Sequence, residues 1–259
     1  MSFNVPALAY DRFMGPYSAQ LAVQMADLGG VETGQLVLDV GCGTGALTGE
    51  LVGRVGPGRV VGADPSPGFV AAVRERYPGV EAVEAPAEAL PFADARFDVV
   101  LAQLVVHFMR DPVGGVEQMR RVGRHGAVVA ACVWDHGGGT APLGRFWVAA
   151  RELVPDAADE SGLPGVHEGQ LEALFSAGGL RDVEGSVLEV GVRYADFDAW
   201  WGPLGGGVGP AGAFVAKLDP GTRERLRARC LELYGPAPML ISGRAWAARG
   251  VVPCPWGPS

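Results

Sequence analysis

The chain sets a carboxylate two residues ahead of three alternating glycines: Asp39, then Gly41, Cys42, Gly43, Thr44 and Gly45. Glycines let a backbone turn sharply and let a ligand touch it, because no Cβ intervenes. Free N–H groups at the start of a following helix favour a negatively charged ligand group. Asp39 opposes a pyrophosphate at this turn and suits a ligand bearing an ammonium group. A dinucleotide turn wants G-x-G-x-x-G with no acid inside the strand, whereas the spacing here is G-x-G-x-G. Asp64-Pro65 ends a second apolar run. An ionised carboxylate at that point can accept from both hydroxyls of a ribose; its plainer role is a helix N-cap. His107 follows a third such run. An imidazole with a reference pKa near 6.5 suits proton acceptance, and the alternative is a packed histidine that shapes its loop. His136 is a second candidate of the same kind.

The elements that must position these groups follow from patterning. Leu36 to Val40 is a short apolar run ended by glycine, which reads as a buried parallel strand. Ala46 to Val55 resumes at helical spacing, with Leu47, Leu51 and Val52 on one face. Further strands are expected at 59–64, 80–85, 97–103, 127–134, 183–194 and 245–252. Helices are expected at 65–77, from Asp111-Pro112 to about 122, 145–154, 170–177 and 217–234, and two more lie ahead of the first strand. Strand and helix alternate up to the fifth strand, which predicts a parallel sheet with helices on both faces.

The strand, acid, three glycines and helix together resemble the nucleotide-binding motif of class I S-adenosylmethionine (SAM) methyltransferases. Ala87-Glu88-Ala89-Leu90-Pro91-Phe92-Ala93-Asp94, followed by Phe97-Asp98-Val99-Val100, resembles the ubiquinone/menaquinone-biosynthesis-like (type 11) branch. The resemblance covers 36–135 strongly and the remainder weakly. It implies a Rossmann-like, seven-stranded, mostly parallel sheet with N-terminal helices and cap insertions. It also implies SAM as cofactor, with S-adenosylhomocysteine as product. The cofactor residues it implies are Tyr10, Asp39, Gly41, Cys42, Gly43, Thr44, Gly45, Asp64, Pro65, Ala87, Glu88 and Gln103. Within that set Ala87 and Glu88 flank the adenine, and Gln103 lies beside the methionine part. Tyr10 either approaches the cofactor or simply packs on the core, and Glu88 is otherwise a solvated acid at a helix start. The chain departs from the family at Arg124-His125-Gly126-Ala127, where a proline-glycine-glycine turn is usual.

One domain over 1–259 is expected: a helical lid at 1–35, the cofactor-binding core at 36–135, and insertions at 136–168 and 196–235 that form a substrate cap. The net charge of −8, with no basic cluster, argues against a nucleic-acid surface. Hydrophobic residues make up 48% of the chain, enough for a sizeable core. Cys42, Cys132, Cys230 and Cys254 show no C-x-x-C pairing and read as free thiols of a reducing cytoplasm. The histidines 107, 125, 136 and 167 show no metal-ligand spacing, so no metal is expected. Neither a signal peptide nor a membrane span is expected.

Taken together, the expected function is methyl transfer to an O, N or C nucleophile of a small, apolar or aromatic metabolite, by a cytoplasmic monomer or homodimer, with His107 as the candidate base. Trp134, Trp147, Trp200 and Trp201 either line an apolar pocket or serve as core aromatics. Two alternatives are a SAM- or S-adenosylhomocysteine-binding protein without transferase activity and a methyltransferase acting on a peptide or protein.

Overall fold

The computed structural model describes residues 7–157, 159–235 and 238–254. The first six residues of the expected lid lie outside it. Two helices come first, α1 (Ala7–Phe13) and α2 (Gly15–Leu28). The alternating part then runs β1 (Val37–Val40), α3 (Ala46–Val55), β2 (Val60–Asp64), α4 (Pro67–Arg76), β3 (Glu81–Glu84), β4 (Phe97–Gln103), α5 (Pro112–Val122) and β5 (Gly123–Trp134). After it come α6 (Gly144–Leu153), α7 (Gln170–Ala177), β6 (Arg181–Tyr194), α8 (Phe197–Trp201), α9 (Gly209–Lys217), α10 (Pro220–Tyr234) and β7 (Met239–Val251).

The seven strands form one sheet in the order β3-β2-β1-β4-β5-β7-β6. β1 to β5 pair in parallel, and β7 runs antiparallel to both β5 and β6. β1 and β2 are buried along their whole length, as strands covered on both faces must be. Strand order reverses between β1 and β4, so a crevice opens at their carboxyl ends, the usual ligand position in such sheets. Side chains alternate across the sheet. Leu38 and Val40 join Phe97, Met119 and Phe175 in one core layer. Val37 joins Leu21, Met25, Leu51 and Leu101 in the other. Asp39 falls on that second face, against α3.

Several boundaries differ from the pattern-based expectation, each for a local reason. The helix expected over 217–234 starts at Pro220, because the Asp219 carboxylate caps it by accepting from the Gly221 and Thr222 N–H groups. A separate helix, α9, fills the glycine-rich stretch before it. β7 begins at Met239 rather than Ala245, because β6 pairs along it as far as Tyr194–Met239. β5 begins at Gly123; Gly126 bends there at φ +80°, where the family has its proline-glycine-glycine turn.

Elements of the two late segments pack on each other. Arg229 pairs with Glu152 of α6 at 2.5 Å. Tyr234 Oη donates to the Pro142 carbonyl at 3.1 Å. Trp200 and Trp201 stack with Phe197 and Tyr234 in this core and do not face the crevice described below.

Candidate active site

The glycine turn takes positive φ at Gly41 (+68°), Gly43 (+52°) and Gly45 (+93°), a region that side-chain-bearing residues avoid. A Cβ on Gly41 would overlap Val105, and one on Gly45 would come within 2.7 Å of the Tyr77 ring. Gly43 is different: only the Gly41 carbonyl, at 4.0 Å, lies near its missing Cβ. The loop amides, however, are not left free for an anion. Gly41 and Cys42 N–H donate to the Ala63 carbonyl, Gly45 N–H to that of Cys42, and Gly43 N–H to Asp64 Oδ2 at 2.9 Å. The Gly41, Cys42 and Gly43 N–H groups thus end on Ala63 and Asp64 at the end of β2.

The groups left around this turn are acceptors. Asp64 also accepts from Ser66 N–H at 2.8 Å. Burial raises its pKa, and the two backbone N–H groups oppose the rise. Asp39, 1% exposed, accepts from the Thr48 hydroxyl at 2.6 Å; burial pushes its pKa up to about 7. It therefore braces the turn against α3 from below. The Cys42 thiol packs against the open side of Gly62. The Gln103 amide donates to the Ser18 carbonyl at 3.0 Å, and its Oε1 is buried without a partner. Glu88 accepts from Arg110 N–H at 2.8 Å, tying the turn that holds Ala87 to the segment after β4.

α1 closes over the loop. Asp11 accepts from the Thr44 hydroxyl at 2.5 Å and pairs with Arg76 at 2.7 Å. Tyr10 sits 5.7 Å from the Phe69 ring, and burial, with the Asp64 charge, raises its phenol to about 12.

The carboxyl ends of β4 and β5 carry a second cluster. Leu104 takes φ +61°, strained for a leucine, and its N–H donates to the Cys132 carbonyl at 2.9 Å. The turn then brings His107 over the sheet edge. His107 is 3% exposed; burial and the neighbouring His136 lower its pKa to about 3. His136 follows β5, and burial lowers it to about 4. Glu160, in the loop after α6, is 6% exposed, and burial raises it to about 7. Among the described residues, the Nδ1 of His107 and the Nε2 of His136 are buried with no hydrogen-bond partner. A cavity of about 50 Å³ adjoins these three residues, walled by Tyr10, Phe13, Met14, Trp134, Leu143 and Val208.

The fold thus gathers the predicted residues into two adjacent groups. Asp64, the glycine turn and Gln103 lie at the β1–β2–β4 edge; His107, Tyr10 and Trp134 line the cavity. Trp147 stands beside the His136–Glu160 side of it. Glu160 and the start of α9, Val208 to Ala211, also border the cavity, and the sequence pattern does not single them out. Neither has a local motif; each arrives from a segment distant in sequence.

The methyltransferase-domain family profile matches residues 38–131. A probable SAM-dependent methyltransferase of Mycolicibacterium smegmatis is 32% identical over 65% of this chain and 67% of its own length. Demethylmenaquinone methyltransferase of Chlorobaculum parvum is 38% identical over 33% of this chain. This chain spans 35% of that relative. Among solved structures, Haemonchus contortus phosphoethanolamine N-methyltransferase 2 in complex with S-adenosyl-L-methionine matches in fold, with TM-score 0.59 at 18% identity, over 96% of this chain and 57% of that one. The fold is that of the class I methyltransferases. The chain belongs to the SAM-dependent methyltransferase family.

The residues fit that family's cofactor. A sulfonium nucleoside with an ammonium group presents donors and positive charge, and the crevice offers Asp64, the unpartnered Gln103 Oε1 and an open backbone at Gly43. A pyrophosphate would find bonded amides and two carboxylates instead.

Proposed function

We propose that the chain transfers the methyl group of SAM to an O, N or C nucleophile of a small, apolar or aromatic metabolite. The observation that carries this reading lies at the end of β4: Gln103, whose Oε1 is buried without a hydrogen-bond partner among the described residues, is followed directly by Leu104 and then by His107, both of which line an apolar-walled cavity. Asp64 would take the ribose hydroxyls, Gln103 Oε1 the ammonium group, and Ala87 with Glu88 the adenine. Bound SAM supplies a methyl group already activated on a sulfonium. The protein's part is then mainly alignment, worth roughly 7–11 kcal/mol when geometry is right. His107 lines the cavity on the acceptor side and is the residue proposed to act on the acceptor. Tyr10, Phe13, Met14, Trp134 and Leu143 select an apolar body. The protein is proposed to work in the cytoplasm as a monomer or homodimer, without nucleic acid.

The test is incubation of the protein with methyl-labelled SAM and a metabolite extract, followed by mass spectrometry of the small-molecule and protein fractions. Label in a small molecule is expected. SAM binding in calorimetry with no label in any fraction would sink the transfer reading and leave a binding protein. Label only in protein would move the substrate to a peptide.

A further inference from the structure

We propose that His107, His136 and Glu160 form a binding site for one divalent first-row transition-metal ion. The three come from the β4 turn, the end of β5 and the loop after α6, and their ligand atoms all lie within 4.8 Å of one another. His136 Nε2 stands 3.7 Å from Glu160 Oε1. A tetrahedral ion with bonds of about 2.0–2.2 Å places neighbouring ligand atoms roughly 3.3–3.5 Å apart, so small side-chain movements close the set. Their side chains are all more than nine-tenths buried, and His107 Nδ1 and His136 Nε2 lack partners. Orphaned imidazole nitrogens this deep are costly unless something accepts their lone pairs or protons.

The surroundings hold the three in place. Asp135 accepts from Gly138 N–H at 2.7 Å, the Thr140 hydroxyl at 2.6 Å and the Trp246 indole at 3.0 Å, which fixes the turn bearing His136. Asp159, beside Glu160, pairs with Arg151 and accepts from the Ser161 hydroxyl at 2.6 Å. These bonds fix the backbone next to His136 and Glu160. Two imidazoles and one carboxylate suit Zn²⁺, Fe²⁺, Co²⁺ or Mn²⁺; Mg²⁺ and Ca²⁺ prefer oxygen ligands throughout. Three protein ligands leave at least one position open, and all three residues line the cavity. Resting on the methyl-transfer reading, that position takes the acceptor's nucleophilic atom and orients it, and His107 serves as ligand rather than as base.

The experiment uses full-length protein stripped with a chelator, titrated with Zn²⁺ by calorimetry and with Co²⁺ by visible spectroscopy. One equivalent should bind, with a nitrogen–oxygen ligand field for Co²⁺. Glu160→Gln and His136→Ala should each weaken binding by more than the roughly 10- to 100-fold typical of supporting residues. Cys254→Ser, which removes the exposed thiol, should leave it unchanged. No stoichiometric binding, equal binding in the Glu160→Gln/His136→Ala double variant, or a thiolate-to-cobalt band would overturn the site. If a variant fails to fold, the cobalt spectrum of the unaltered protein decides alone. SAM titration of the same stripped protein separates the readings. SAM binding together with a failure to bind metal removes the site only, and metal binding together with a failure to bind SAM removes the transfer reading only.

Discussion

At the carboxyl ends of β1 and β2, the glycine-turn amides and the side chains beneath them have partners within the protein. The loop amides end on Ala63, Cys42 and Asp64, Asp39 on Thr48, and Thr44 on Asp11. At the carboxyl end of β5 and the turn after β4 the opposite holds: among the described residues, His107 Nδ1 and His136 Nε2 are buried without hydrogen-bond partners. The first region is shaped before a ligand arrives, and the second carries unmet bonding capacity that a ligand must satisfy. Binding of the cofactor and handling of the acceptor are therefore separable, and single substitutions should divide them.

The largest effect is expected at His107. Whether it receives a proton or holds an ion, its removal disables the acceptor side. His107→Ala should lower label transfer by ~100- to 10,000-fold, the range for a lost acid–base group, with SAM affinity in calorimetry nearly unchanged. A residue that only packs would instead lower the melting temperature and cost little turnover. Equal losses in SAM affinity and turnover would break the division between the regions.

Asp39 tests the satisfied region through stability. Its folded pKa of about 7 lies above the unfolded value of 3.8, because burial opposes its charge. The folded state therefore holds this proton more tightly. The resulting stabilisation is full below pH 3.8 and is lost as pH rises through about 7. The shift corresponds to roughly 4 kcal/mol at most. Asp39→Asn removes the dependence, so its stability relative to the parent should climb between pH 4 and pH 8 in denaturant titrations without ligand. A constant difference across that range would mean that Asp39 stays ionised in the folded protein.

The same contrast governs what could be read in advance. The glycine turn, Asp39 and Asp64 lie within 26 consecutive residues, and their spacing already implies strand, turn and helix. Backbone geometry alone brings them together, so a linear pattern suffices. His107 and His136 were visible as separate residues, but with no ligand spacing between them. Their meeting depends on β4 and β5 being neighbours in the sheet. Glu160 sits in an acidic loop where nothing local distinguishes it from Asp156 or Asp159. The α9 helix was hidden for another reason: glycine at 205–207 and 209 reads as loop, and only the packing of Ala211 and Val215 into the core makes the following segment helical. Through-space assembly and tertiary override of propensity account for what the sequence did not disclose.

The smallest expected effect, at Asp64, is the sharpest probe of what the first region is for. Its carboxylate already accepts from Gly43 and Ser66, so it has a structural task whether or not a ribose binds. If it also holds the ribose hydroxyls, Asp64→Ala should weaken SAM by roughly 1–3 kcal/mol, the cost of losing charge-assisted hydrogen bonds. The alanine also frees two N–H groups and loosens the turn, so the melting temperature falls in either case and cannot discriminate. Asp64→Asn can: it keeps an acceptor oxygen for Gly43 or Ser66, gains an amide donor and loses the charge. A ligand-binding carboxylate predicts that the asparagine variant keeps most of the stability and still binds SAM several-fold more weakly. The comparison ligand is 2′,3′-dideoxy SAM, which lacks both hydroxyls. If Asp64 holds the ribose, parent and variant bind this analogue alike. If the asparagine variant instead loses the same factor for SAM and for the analogue, Asp64 acts only through the shape of the glycine turn.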